Sequence, residues 1–295
     1  MSSRSALVLL VTAASALAGC MTGEEEDLGA GQGLAEEDGL DDFGDGKADG
    51  IGDRVCADGA TLKGIDVSKW QGNIDWGRVR NAGIEFAFIR VSDGTASLDP
   101  KFNRNWTNAK AAGVVRGAYQ FFRPSQDPIA QANRLIAAVG QLGPTDLPPV
   151  VDVEVTGGLS PTALRSKLDR WIVHVERELG RRPIIYSGSY FWRDQVRGGT
   201  AYAKHPFWIA QYTSRCPRLP SPWRRWAFWQ NSDRGRISGI VGPVDTNFFN
   251  GTRADLVDVI ASTNLTALPP PNTDSIIREP VEHHDEIEDI TAYPR

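Results

Sequence analysis

Histidine, cysteine and methionine are scarce in this sequence: 295 residues hold four His, three Cys and two Met. Two of the histidines, His283 and His284, lie near the C-terminus and His174 falls in a helical pattern, so with His205 they form no ligand set and neither a metal nor a cofactor is expected. Past the first 20 residues no long apolar run recurs, and no internal repeat is visible. With 41% apolar and 23% charged residues, 30 Gly and 18 Pro, the composition excludes collagen and coiled coil and argues against wholesale disorder. It suits one large globular domain or two small ones.

The formal charge of −5 hides a segregation. Residues 59–266 hold 27 basic and 17 acidic side chains, a net +10, whereas residues 21–58 hold 13 acidic residues against Lys47 and Arg54. The first 20 residues, MSSRSALVLLVTAASALAGC, have the basic start, short apolar run and small-residue end of an export signal. They are too short to span a bilayer as a stable helix. The closing LAGC at 17–20 resembles a bacterial lipobox, which implies cleavage at 1–19, lipidation of Cys20 and a lipid-anchored, exported protein; an ordinary secretory signal is the alternative. In a cell with two membranes, Met21 after the lipidated Cys favours the outer membrane.

Residues 20–58, rich in Gly and acid, lack the apolar content needed to fold and read as a disordered tether. Residues 263–295, Pro-rich and then acidic, read as a second unfolded tail. Once Cys20 is set aside, Cys56 and Cys216 remain as an even pair in an exported chain and are a candidate disulfide, with two free thiols as the alternative.

Between the tails, at 59–262, β-rich apolar runs alternate with helical patterns. Strands are expected at 62–67, 86–91, 114–122, 149–153, 183–186, 207–211, 227–230 and 244–248. The clearest helix has Ser160 as cap and Pro161 in its first turn, an apolar face of Leu164, Leu168, Trp171, Ile172, Val175 and Leu179, and Gly180 as its stop. Weaker helices fit 76–81, 101–112, 128–139 and 190–196. Eight strands with interleaved helices predict an α/β fold, an irregular TIM-like (β/α) barrel with short or missing helices in its later repeats.

In such barrels the reactive groups sit at the C-terminal ends of the strands. Asp66 ends the first strand, Asp152 and Glu154 end the fourth, and Asp245 lies in the last. Asp152 and Glu154 are two apart, so on a strand both point to one side with Cα atoms about 6–7 Å apart. Such carboxylates cannot both ionise cheaply, so one keeps its proton near neutral pH, as a general acid must. Asp66 and Asp152 interrupt apolar strands, where a charge is costly without a task. Asp75, Asp93 and Asp99 look instead like a helix start and turn residues. Trp70, Tyr119, Tyr186, Trp208, Tyr212 and Trp229 cluster near the same strand ends as candidate sugar-stacking residues, with core packing the competing use for Trp208, Trp229 and Phe121.

The run GIDVSKWQG at 64–72 resembles the opening signature of glycoside hydrolase family 25, the Chalaropsis-type lysozymes. FAFIR at 86–90, GAYQF at 117–121, VDVE at 151–154, PIIYS at 183–187, WIAQY at 208–212, WQ at 229–230 and VDTNF at 244–248 follow in the family's order, so the resemblance covers 62–260. It implies a flattened β/α barrel that hydrolyses the β-1,4 bond between N-acetylmuramic acid and N-acetylglucosamine in peptidoglycan. Carried over by position, Glu154 is the proton donor, Asp152 orients an acetamido group or a water, and Asp66 and Asp245 hold substrate and tune the pair. Two positions depart from the family pattern. Gln120 stands where the family often has His and cannot shuttle a proton; Arg90 stands where Lys is common and keeps the charge.

The basic core suits the anionic peptidoglycan strands expected as partner. No groove-reading motif points to nucleic acid, and a monomer is expected. Two other readings stay open: a wall-binding module that has lost catalysis, and an N-acetylglucosaminidase or chitinase of the same mechanism.

Overall fold

The computed structural model describes residues 52–267; the expected export signal and lipidation site at Cys20, the acidic stretch up to residue 51 and the tail from 268 lie outside them. The described chain runs β1 (Thr61–Val67), α1 (Trp76–Asn81), β2 (Phe86–Asp93), β3 (Ser97–Leu98), α2 (Phe102–Ala111), β4 (Val115–Phe121), α3 (Pro128–Val139), β5 (Val150–Asp152), α4 (Pro161–Leu179), β6 (Ile184–Gly188), α5 (Ser189–Phe191), β7 (Phe207–Ala210), β8 (Phe228–Gly235), β9 (Val244–Asn250) and α6 (Arg253–Ser262). Helix ends follow local chemistry. Asp127 accepts from Ala130 N and Ser160 from Ala163 N, each followed by Pro at the first helical position, and Gly140 and Gly180 stop α3 and α4 at φ 59° and 61°.

Eight strands close in the order β1-β2-β4-β5-β6-β7-β8-β9, with β1 pairing both β2 and β9 and the short β3 added beside β2. Around the closed ring the pairings from β1 through β8 are parallel, whereas β9 runs antiparallel to both its neighbours and the added β3 antiparallel to β2. The barrel is therefore mixed. The reason lies in the link from β8 to β9, residues 236–243, which is too short for the helical crossover a parallel partner needs.

Inside the barrel, rings fill the lumen: Phe88 stacks on Trp208 at 4.2 Å between centroids, and Phe86, Phe228 and Phe249 pack edge-on or tilted below. Glycine makes the space, since Gly64 is registered with Phe86 and Gly117 with Phe88. A Cβ at either glycine would fall 2.3 Å or 2.6 Å from the facing ring. Outside, a second apolar layer that includes Ile89, Val151, Leu168, Trp171 and Ile209 seats the helices.

Order begins before residue 59, where the sequence reading places the end of the tether. Residues 52–58 form a strap against the loop after β7: Val55 N donates to Pro217 O (2.9 Å), Trp226 Nε1 donates to Val55 O (2.7 Å), and Arg225 pairs with Asp58 (2.5 Å). Cys56 and Cys216 are joined by a disulfide, Cα to Cα 4.8 Å. Composition alone misplaces this boundary, because a covalent link and backbone hydrogen bonds hold the strap with little apolar burial. At the other end, order passes residue 262, with Leu265 N donating to Gly180 O (2.9 Å).

One buried titratable group lies far from the barrel mouth. His205 is 3% exposed, and its Nδ1 lies 2.9 Å from Pro183 O. Burial holds its pKa down at about 4, with the Lys204 and Arg182 charges adding to the effect. The folded value lies below the unfolded one, so the neutral ring favours folding above pH ~6.5 and that contribution is lost as the pH falls through 4. Denaturant melts at pH 7 and pH 4 are expected to differ by up to about 3 kcal/mol more in the wild type than in a His205→Gln variant.

Candidate active site

All four carboxylic residues singled out in the sequence gather at one end of the barrel, where the parallel strands finish. Asp66, at the end of β1, is paired directly with Asp245 near the start of β9, so the antiparallel strand brings its first residues to the same mouth. Their carboxyls bear on each other's titration. Asp66 Oδ2 also accepts from Asn247 Nδ2 (2.7 Å) and Gln230 Nε2 (3.0 Å). Gln230 Oε1 in turn accepts from the hydroxyls of Tyr186 (2.7 Å) and Tyr212 (3.2 Å), and Asn247 Oδ1 accepts from Trp208 Nε1 (2.8 Å).

Asp152 is the last residue of β5 and 1% exposed; Glu154, two residues on, is half-buried. Although β5 is short, Val153 N donates to Tyr186 O (2.9 Å) and Ser187 Oγ donates to Val153 O (2.7 Å), which fixes the backbone through to Glu154. The carboxyls of Asp152 and Glu154 are near enough for each to bear on the titration of the other. Asp152 Oδ1 is buried with no hydrogen-bond partner among the described residues.

The electrostatics follow from crowding four largely buried acids at one mouth. Burial drives Asp152 well above the usual carboxylate range, and the neighbouring charges of Glu154, Asp66 and Asp93 push the same way. Burial likewise lifts Asp245 far up, with Asp66 adding, while the amide hydrogen bonds of Asn247 and Gln230 hold the rise of Asp66 back. Glu154 is raised to about 7, chiefly by burial and also by the charge on Asp66; the nearby polar groups of Asp152 and Tyr186 and the charge of Arg123 oppose the rise. Its carboxyl is thus partly protonated at neutral pH.

The aromatic candidates divide. Trp70, 57% exposed on the short 3-10 turn Lys69–Gln71 after β1, stands at the rim with Lys69 Nζ 4.7 Å from its ring centroid. Tyr186 and Tyr212 reach the carboxylate network, and the buried Tyr119 feels the charges of Arg90, Asp66 and Asp152. Trp208 and Trp229 do not line the mouth. Trp208, 1% exposed, sits among Phe88, Tyr119 and Tyr186 as the floor. Trp229 points out of the barrel, where Nε1 donates to Gln211 O (2.8 Å) and the ring packs near Trp226 and Phe248. Strand alternation settles this: Gln230 faces in, so Trp229 faces out.

Gln120 is also not part of the mouth. Its neighbours Tyr119 and Phe121 face inward, and Gln120 faces the helices, where Nε2 donates to Ser92 Oγ (2.7 Å) and Gln131 O (2.8 Å) and Oε1 accepts from Trp171 Nε1 (2.7 Å). A side chain placed there has no reach to a substrate, so the absence of His at this position takes nothing from the carboxylates.

Two acids read as turn residues take part in the mouth instead. Asp99 is buried and accepts from Lys69 N (2.7 Å), Lys101 N (2.8 Å) and Arg90 Nε (3.4 Å), which ties the Trp70 turn to β2 and α2. Asp93 holds Arg123 through two short bonds. Asp75 caps α1, as its sequence context suggests. No group of three or more His, Cys, Asp or Glu able to hold a metal is found among the described residues.

Comparison with known proteins adds to this geometry. The sequence pattern of the Glycosyl hydrolases family 25 matches residues 65–240. The Escherichia coli (strain K12) protein YegX is 44% identical over 211 residues, 69% of this chain and 76% of YegX. Lysozyme M1 of Streptomyces globisporus is 37% identical over 217 residues, 70% of this chain and 74% of the lysozyme. Among solved structures, the bacterial lysozyme from Streptomyces coelicolor superposes with a TM-score of 0.66 at 36% identity, covering 70% of this chain and all of the lysozyme.

Proposed function

The chain belongs to glycosyl hydrolases family 25 and is a glycoside hydrolase of the peptidoglycan-cleaving type, and from that membership we propose that it is a muramidase, cutting the β-1,4 bond from N-acetylmuramic acid to N-acetylglucosamine. The observation that carries this reading is the Asp152–Glu154 pair at the end of β5, where burial raises Glu154 to about 7.

In this mechanism Glu154 gives its proton to the glycosidic oxygen as the bond to the muramyl anomeric carbon breaks. Asp152 lies beside Glu154 at the end of β5, and each carboxyl bears on the titration of the other. Asp152 orients the acetamido group of the muramyl sugar. The acetamido oxygen closes on the anomeric carbon as that proton is transferred to the leaving sugar. Water then opens the cyclic intermediate, returning a proton to Glu154. Asp66 and Asp245 hold the sugar and, through the charge of Asp66, keep Glu154 protonated at higher pH. Trp70, Tyr119, Tyr186 and Tyr212 form the sugar-contacting surface, with the exposed Trp70 ring as the stacking platform.

The test is product identity. Purified protein is incubated with isolated peptidoglycan, and the fragments are reduced with borohydride and weighed by mass spectrometry. Ends of reduced muramic acid are expected; reduced glucosamine ends would make the enzyme a glucosaminidase. Tight binding without release would favour a wall-binding module, against which the retention of all four carboxyls stands. The lipobox reading is carried as a proposal of the same kind: radiolabelled palmitate should enter the wild-type chain and not a Cys20→Ser variant.

A further inference from the structure

The strand next to β4 carries a bulge that changes what faces the catalytic pair. Along β2, Phe86, Phe88 and Arg90 point inward; plain alternation would turn Asp93 outward. The register instead shifts between Arg90 and Ser92, so Ser92 is partnered with Gln120 and Asp93 with Phe121. Phe121 is in turn partnered with Asp152. Registered residues of parallel strands share a face, so Asp93, Phe121 and Asp152 form one inward rung.

Arg123, two residues past β4, closes over this rung. Its Nε and Nη2 bond Asp93 Oδ1 (2.5 Å) and Oδ2 (2.6 Å), and its guanidinium lies 4.4 Å from the Phe121 ring centroid. The backbone beneath is fixed by the fully buried Gln131, whose Oε1 accepts from Arg123 N (2.9 Å) and whose Nε2 donates to Arg123 O (3.0 Å). The fold thus spends a bulge and a buried amide on holding one ion pair at the lip of the acid site.

We propose that Arg123 and Asp93 are positioning residues for the acid, an oriented ion pair that governs how Asp152 and Glu154 share their proton. The proposal rests on the reading of Glu154 as proton donor. The cation bears on Glu154 and the anion on Asp152: the charge of Arg123 opposes the rise of Glu154, and that of Asp93 adds to the rise of Asp152. Both side chains are partly shielded, with 31% and 12% of their surface exposed, so water screens the pair only in part.

Other charged or titratable groups face the pair from every side. Asp66 on β1, Asp245 on β9 and Arg90 on β2 supply fixed neighbours; Tyr119 on β4, Tyr186 on β6 and Tyr212 after β7 supply hydroxyls. None of them is altered by substitution at Arg123 or Asp93, so each single variant changes one charge.

The test is the pH profile of kcat/KM on soluble peptidoglycan fragments, measured on the full chain. Arg123→Gln is expected to move the alkaline limb up by about 0.5–1 pH unit, and Asp93→Asn to move it down by about as much. The double variant should return close to the wild type, and Arg123→Lys should stay there. Limbs that do not move, or that move the same way in both single variants, would overturn the proposal. So would a folded Arg123→Gln protein with a large rise in KM, which would make Arg123 a substrate contact. Carbon-13 titration of the Glu154 carboxyl reads the same opposite shifts without turnover, so a failure of the muramidase reading is told apart from a failure of this one.

Discussion

Glu154→Gln is expected to lower kcat on peptidoglycan by about a thousandfold or more, in line with the 10²–10⁴-fold that a positioned acid contributes, while glycan binding is kept. The variant preserves the size of the side chain and its backbone anchors, Val153 N to Tyr186 O and Ser187 Oγ to Val153 O. It removes only the transferable proton. In the wild type that proton is present below the pKa of about 7 and lost above it, so the rate should fall as the pH rises past neutrality. Turnover is followed by release of soluble fragments and binding by pull-down with insoluble wall; normal turnover by the variant would remove Glu154 from the role of acid.

Gln120→Leu is expected to do the opposite: a large loss of stability, about 4 kcal/mol, with kcat per folded molecule unchanged. The Gln120 amide joins three elements, accepting from Trp171 Nε1 on α4 and donating to Ser92 Oγ on β2 and to Gln131 O on α3. All four residues are fully buried. Leucine is close in size, but it orphans the indole N–H and the serine hydroxyl, each at about 1–3 kcal/mol. Chemical denaturation gives the stability, and active-site titration during turnover gives kcat. A fall in kcat at full occupancy of the folded state would place Gln120 back in the mechanism.

The contrast between these residues marks what sequence can and cannot reveal. The helices at 76–81 and 128–139 and the one from Pro161 to Leu179 are legible because caps, prolines and apolar periodicity act within a few residues. Asp66, Asp152, Glu154 and Asp245 are legible because a charge inside an apolar strand is costly and therefore conspicuous. Side-chain direction is less legible wherever it depends on a partner strand. Trp229 and Gln120 look close to the site in sequence, yet each sits one residue away from an inward-facing neighbour and so faces outward. Asp93 fails for a related reason: the bulge that turns it inward is a property of the pairing with β4, and no local signal announces it. The reversed direction of β9, which explains how Asp245 near that strand's start reaches the mouth, is not legible, because β8 runs on to Gly235, past the end at 230 that the sequence suggests, and only that extension leaves the link to β9 too short for a crossover. The strap at 52–58 depends on a bond to a cysteine 160 residues away.

That bond has a mechanical consequence. The Cys56–Cys216 bridge encloses β1 through β7 in one covalent ring. Tension arriving along the chain ahead of Gly52 meets the bridge before it meets β1, and is passed across to Cys216 in the loop after β7. In an intact barrel β1 holds the ring closed by pairing with both β2 and β9, and it would be the first strand peeled away by a pull from its N-terminal side. With the bridge in place the pull bypasses that seam, and Asp66 keeps its register opposite Asp245 under load. Reduced protein pulled from the same end would open at the β1 seam, unzipping from Thr61 opposite Asn250 toward Asp66, and the pairing of Asp66 with Asp245 at the mouth would be the last of that seam to part.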